Sequence, residues 1–263
     1  MAKEPKERIN ASLPITWAAV SDTGKFGQEN QDAYFADTKT GLFLVSDGMG
    51  GHQCGSLASR IVAQTLPLLI ESGLKQLKTC GTKAMKSMLT KAIIKVSGHM
   101  RTESMNVLGV MNMGATLVLA LLCENRVFIA NVGDSRAYLF RNGNLSQLSE
   151  DHSAIAQLLR TGEITHREAR NHPARGQLYY YIGMSDKIAP FLHTVDLKEN
   201  DCFLLCSDGL TDVLTDDEII SILQCHADPH DTCSALVETA NLFGGHDNIT
   251  VMIVDWCSRV NNP

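Results

Sequence analysis

Four apolar segments in quick succession constrain this chain more than any other feature. Ala115 to Leu122, Arg126 to Val132, Arg136 to Phe140 and Leu145 to Leu148 carry strand-favouring residues, and Asn142-Gly143 supplies the last turn between them. Connections this short leave no room for a crossover helix, so they predict antiparallel pairing of successive neighbours. Further strands are expected at Ile15 to Val20, Ala33 to Ala36, Gly41 to Val45, Cys202 to Cys206 and Ile249 to Trp256. Helices are expected elsewhere. Gly55 to Thr65 presents Ala58, Ile61, Val62 and Thr65 on one face, with Pro67 ending or kinking it. Thr82 to Met100 repeats Met85, Met88, Leu89, Ala92, Ile93 and Val96 at three-and-four spacing, the pattern of a core stripe. Asp216 to Gln224 and Asp231 to Phe243 complete the long helices. A helical insertion at about 153–183, with a capping box at Thr165-His166-Arg167-Glu168 and a closing run Tyr179-Tyr180-Tyr181, reads as a flap. The expected fold is therefore α+β: two packed antiparallel β-sheets flanked by helices, with a helical flap insertion. One domain over residues 15–257 is expected between tails at 1–14 and 258–263.

Composition excludes several classes. The chain has 263 residues, is 44% hydrophobic and carries a net charge of −6, enough apolar content for a full core and the wrong sign for gripping nucleic acid. No apolar run approaches the ~20 residues of a membrane span, and the N-terminus Lys3-Glu4-Pro5-Lys6-Glu7-Arg8 lacks the apolar centre of a signal peptide. A cytoplasmic monomer is the expectation. The eight cysteines show no C-x-x-C spacing, and Cys225, His226, His230 and Cys233 fit no zinc template, so free thiols are expected.

What remains is a recurring acid. Asp47, Asp134, Asp208 and Asp247 each lie near glycine at the edge of an apolar β segment, and Asp212 follows Asp208 by four residues. If they converge, repulsion decides what accompanies them. Two carboxylates ~4 Å apart cost about 4 kcal/mol at an effective dielectric of 20, so a cluster stays ionised only around cations. Oxygen ligands with water favour Mg²⁺ or Mn²⁺ over zinc, and two such ions suit attack of water on phosphorus. The glycines of Ser46-Asp47-Gly48-Met49-Gly50-Gly51-His52 would give the backbone positive φ and a close approach.

The motifs resemble the metal-dependent type 2C protein serine/threonine phosphatases in their bacterial form. They are Ser46-Asp47-Gly48-Met49-Gly50-Gly51-His52, Val132-Gly133-Asp134-Ser135-Arg136-Ala137-Tyr138, Glu150-Asp151-His152-Ser153, Ser207-Asp208-Gly209-Leu210 and Gly245-His246-Asp247-Asn248-Ile249-Thr250-Val251. The resemblance implies hydrolysis of phosphoserine or phosphothreonine by in-line attack of a metal-bridging water or hydroxide, on substrates of a bacterial-type kinase. It implies that Asp47 and the Gly48 carbonyl, with Asp208 and Asp247, hold two Mn²⁺ or Mg²⁺ ions. By the same resemblance Asp134 and Asp212 hold a third, weaker ion, and Asp32 supports the metal waters.

Three departures qualify it. Gly27 stands where the family carries a phosphate-binding arginine, leaving Lys25 as a substitute point charge. Gln31 replaces a common glutamate beside the metal waters. The flap closes on tyrosines instead of a run containing arginine, so Tyr180 either packs the flap down or offers substrate a stacking surface. His52 is a candidate for protonating the leaving oxygen or for bracing its loop, and His152 for buttressing the Asp151 turn. The alternative to an active phosphatase is a weakly active or inactive phosphoprotein-binding module on the same scaffold.

Overall fold

Residues 42–45 and 117–122 are apolar at every position because both faces of their strands are covered. The computed structural model describes residues 15–256 apart from 51, 78, 106–112, 170–171 and 186. In it Leu42, Leu44, Leu117, Leu119 and Leu121 meet the helix residues Met85, Leu89 and Ile93. Their neighbours Phe43, Val45, Val118, Ala120 and Leu122 face the other way, against Phe203, Leu205, Met252 and Val254 of a second sheet. The two-residue period of a strand assigns alternate side chains to alternate layers.

The first sheet holds β1 (Ile15–Asp22), β7 (Arg136–Arg141), β8 (Asn144–Gln147), β10 (Asp201–Cys206) and β11 (Ile249–Trp256), in the order β1-β11-β10-β7-β8. The second holds β2 (Asp32–Asp37), β3 (Leu42–Met49), β5 (Leu117–Cys123), β6 (Arg126–Val132) and β9 (Phe191–Asp196) in that order, with β4 (Gly114–Ala115) paired to the end of β3. All pairs are antiparallel. Helices α1 (His52–Gln76) and α2 (Thr82–Glu103) cover the second sheet. Helices α5 (Asp208–Thr211), α6 (Asp216–Cys225) and α7 (Pro229–Leu242) cover the first, through Leu210, Ile219, Leu223, Cys233 and Leu236. The result is the expected pair of antiparallel sheets between helical layers. Full burial of one Leu or Ile contributes ~1.5–3 kcal/mol, so these faces dominate the fold's stability.

Two expectations need correction. The four-strand meander is not one sheet: β5 pairs with β6 and β7 with β8, but β6 pairs onward with β9, and β7 with β10. Gly133-Asp134-Ser135 is therefore a crossing between sheets, made possible by Gly133 at φ 99°. Nor does Pro67 end its helix. α1 runs to Gln76, because Leu66 and Ile70 are fully buried beside the proline and offset the ~3 kcal/mol that an interior proline costs.

The flap contains α3 (Ala154–Thr161), capped by Ser153 and closed by Gly162 at φ 75°, and α4 (His166–Ala169) with the Thr165/Glu168 capping box in place. Its root is tied by bridges between Ser153 and Leu178 and between Ala115 and Ile182. The tails at 1–14 and 258–263 lie outside the described residues. Among those described, no helix is long and apolar enough to cross a membrane, and no disulfide links the cysteines.

Candidate metal centre

One end of the sandwich collects the acids. Asp32 opens β2 directly opposite Asp47 in β3, where cross-strand side chains lie ~4.5–5.5 Å apart. Asp134 sits in the crossing between the sheets, where Gly133 packs on Thr116 so closely that a Cβ would lie 2.7 Å from the threonine methyl. Asp208 is the first residue of α5 and Asp212 its C-cap, and i,i+4 spacing puts both carboxylates on one helix face. Asp247 precedes β11 and accepts the Asn248 N–H at 2.7 Å.

Both Asp-Gly glycines are needed for close approach rather than positive φ. A Cβ on Gly48 would stand 1.9 Å from the Gly55 carbonyl oxygen, and one on Gly209 would stand 2.1 Å from that of Asn248. Positive φ occurs two residues on, at Gly50.

Hydroxyls and one amide hold the acids in place. Ser207 Oγ donates to Asp32 Oδ2 at 2.7 Å and accepts the Thr250 N–H at 2.9 Å. Thr116 Oγ1 accepts the Asp47 N–H at 2.9 Å and lies 2.6 Å from Ser135 Oγ. Asn248 ties down the loop before β2, accepting from the Gln31 N–H and donating to the Thr23 and Glu29 carbonyls. The sequence reading quoted Ser207 within its motif without a role and missed Thr116, since a buried threonine far along the chain from the aspartate it holds carries no distinct pattern.

Electrostatics shows the acids sharing one space. Burial, then the charges of Asp32, Asp208, Asp247 and Asp134, drive Asp47 well above the carboxylate range. Burial followed by Asp134, Asp212 and Asp247 does the same to Asp208. Asp134 is pushed up to about 7, by burial and then Asp151. Asp32 is pushed up to about 6 by burial, against the opposing hydrogen bond from Ser207. Asp32 Oδ1 and Asp208 Oδ1 are buried with no hydrogen-bond partner among the described residues. Unpartnered buried carboxylate oxygens amid like charges are costly without a cation, and an all-oxygen donor set suits Mg²⁺ or Mn²⁺. Among the described residues no three acid, histidine or cysteine side chains close on one point as a cage.

Around this centre the other candidates divide. Arg136 grips Asp151 with Nε and Nη2, the shortest contact 2.7 Å. His152 braces the crossing: its Nδ1 accepts the Gly133 N–H, and burial lowers its pKa. Gln31 turns its side-chain oxygen to Gly55, where a Cβ would lie 1.8 Å away. Lys25 is exposed, its N–H bonded to the Gly245 carbonyl at 2.8 Å. The side chain of His52, first residue of α1, lies outside the described residues. The ring of Tyr180 packs on His152 and Tyr179 at 5.3 and 5.2 Å and against the α1/α2 core, the contacts expected of a residue that packs the flap down. Arg175 of the flap, absent from the sequence reading, forms an ion pair with Asp212. Gly27 is more than a missing arginine. A Cβ there would lie 2.1 Å from the Thr23 carbonyl oxygen, so no side chain fits without moving backbone that Asn248 holds.

Comparison with known proteins agrees with this geometry. Residues 24–241 match the protein phosphatase 2C family. A serine/threonine phosphatase of Listeria welshimeri is 34% identical over 238 residues, covering 89% of this chain and 93% of the relative. The crystal structure of a serine/threonine phosphatase from Staphylococcus aureus superposes with a TM-score of 0.83 at 30% identity, covering 97% of this chain and 99% of that one. The catalytic domain of the serine/threonine phosphatase PstP, crystallised with two manganese ions, superposes at 0.75 and 29% identity, covering 94% of this chain and all of the other.

Proposed function

The chain belongs to the protein phosphatase 2C family, and from that membership we propose that it is a metal-dependent protein serine/threonine phosphatase, hydrolysing phosphoserine and phosphothreonine. The observation that supports this most strongly is the shared acidic space with its unpartnered oxygens on Asp32 and Asp208. Asp47, the Gly48 carbonyl, Asp208 and Asp247 would hold two Mn²⁺ or Mg²⁺ ions, and Asp134 with Asp212 a third. Such ions, when bound, supply Lewis acidity and lower the pKa of water for in-line displacement at phosphorus.

The chain's own residues supply position and protons. Ser207 fixes Asp32 through Oδ2, leaving Oδ1 to accept a hydrogen from water. Asn248 and Thr116 keep the Asp247 turn and the Asp47 backbone from shifting, and preorganised carboxylates need not reorganise during the reaction. Arg175 holds the flap over Asp212. His52 is assigned to protonation of the leaving oxygen. Residues 15–257 act as one catalytic domain, and the protein works as a cytoplasmic monomer against a bacterial-type kinase.

Phosphate release from a phosphothreonine peptide tests this, measured with chelator, Mg²⁺ and Mn²⁺ and beside Asp208→Asn. Release that needs metal and disappears in the variant supports the phosphatase. The crowding at Gly27 favours the second reading, a phosphoprotein-binding module: peptide that binds the folded, metal-loaded protein without releasing phosphate would establish it instead.

A further inference from the structure

The ring of Phe26 is 68% exposed, yet its mount is rigid. Lys25 N–H bonds to the Gly245 carbonyl, Gly24 N–H to Asp22 Oδ1 at 2.8 Å, and Asn248 Nδ2 to the Thr23 carbonyl. Gly24 lies so close to the Asp247 carbonyl that a Cβ would stand 2.2 Å from its oxygen. Held this way, Phe26 stacks on His246, with ring centroids 5.3 Å apart and planes at 14°. His246 is also exposed and immediately precedes Asp247. Gly244 makes room for the imidazole, since a Cβ there would lie 2.8 Å from the ring. A large apolar ring held in water on a braced loop adds nothing to the core and leaves its open face available to an apolar side chain of a ligand.

Its place decides what it meets. The stack borders Asp247, so a peptide whose phosphorylated residue reaches the acidic centre would lay a neighbouring side chain near it. Gly27, next along the same loop, carries no side chain. We propose that Phe26 and His246 form a docking surface for an apolar side chain adjacent to the phosphorylated residue of the substrate, setting sequence preference. This rests on the phosphatase reading for its catalytic consequence, but binding reads it independently.

The test uses two fluorescent phosphothreonine peptides, one with leucine on both sides of the phosphothreonine and one with glycine. Wild type, Phe26→Ser and Phe26→Tyr, each loaded with Mn²⁺, are compared by anisotropy and by phosphate release. Wild type should bind the leucine peptide about tenfold more tightly, expressed in KM with kcat unchanged; Phe26→Ser should erase the preference and Phe26→Tyr retain it. Equal binding of the two peptides by wild type, or a preference that survives in Phe26→Ser, overturns the proposal whether or not phosphate is released. So does a Phe26→Ser effect confined to self-association on gel filtration. A preference in binding with no release from either peptide would retain the docking surface and overturn only the phosphatase reading.

Discussion

Strand β10 has an aspartate near each end, and the two are treated in opposite ways. Asp201 opens the strand and is fully buried, with Arg141 bonded to both oxygens at 2.6 Å and the Lys198 N–H adding 2.8 Å. Asp208, two residues past the other end, is half-buried; it faces Asp134, Asp212 and Asp247 and keeps one buried oxygen unpartnered. The residue type is the same, and the partners are opposite in charge. An acid answered by a guanidinium stabilises the fold, whereas one answered by other acids weakens it until a cation arrives.

The largest effect should come from removing Asp208. Asp208→Asn is expected to lower turnover about a thousandfold, as loss of a main charge-stabilising group does. The same change should raise the melting temperature of the metal-free protein, because it removes a buried like-charge interaction. A lower metal-free melting temperature would break the contrast with Asp201. Asp201→Asn should do the reverse. It strands Arg141, and because that side chain is partly solvated the loss is about 2–3 kcal/mol, below the range for fully buried pairs. Thermal melting should fall by roughly 5–10 °C, while turnover per folded molecule stays within a factor of two or so.

A pH series sharpens the comparison further. With folded values of about 6 for Asp32 and about 7 for Asp134 against 3.8 for the ordinary carboxyl, the folded metal-free protein holds protons that the unfolded chain releases. Stability from these groups is therefore greatest at and below about pH 4 and is lost as pH rises to about 7. Metal-free protein should melt lower at pH 7.5 than at pH 5.5, and saturating Mn²⁺ should remove that slope; a slope unchanged by metal would mean the ions bind elsewhere. The smallest effect belongs to the flap. Arg175 and Asp212 are both partly exposed, so Arg175→Met should cost less than ~1 kcal/mol. Hydrogen exchange should nevertheless quicken in α3 and α4, with the core unchanged.

Much of this was legible beforehand, and the particular failures are instructive. The helix stripe from Met85 to Val96, the strands at 126–132 and 249–256 and the Thr165/Glu168 cap follow local rules, and they occur where those rules put them. The short β4 and α5 carry too few residues to show a period. Pro67 misled because local propensity lost to buried neighbours. Gly27 read as a lost arginine when it is also a position closed by Thr23, a clash between residues that only folding brings into contact.

By itself the sequence determined the unbroken apolar runs of the central strands, and it marked the aspartates by their place at strand ends beside glycine. Those are local properties, set by residue type and by backbone sterics. Only the tertiary structure decided that the chain changes sheets at Gly133, that Asp32 faces Asp47, that Arg175 reaches Asp212 and that Phe26 stacks on His246. Each joins segments that no spacing rule relates, because charge repulsion, ion pairing and ring stacking depend on distance through space and not along the chain.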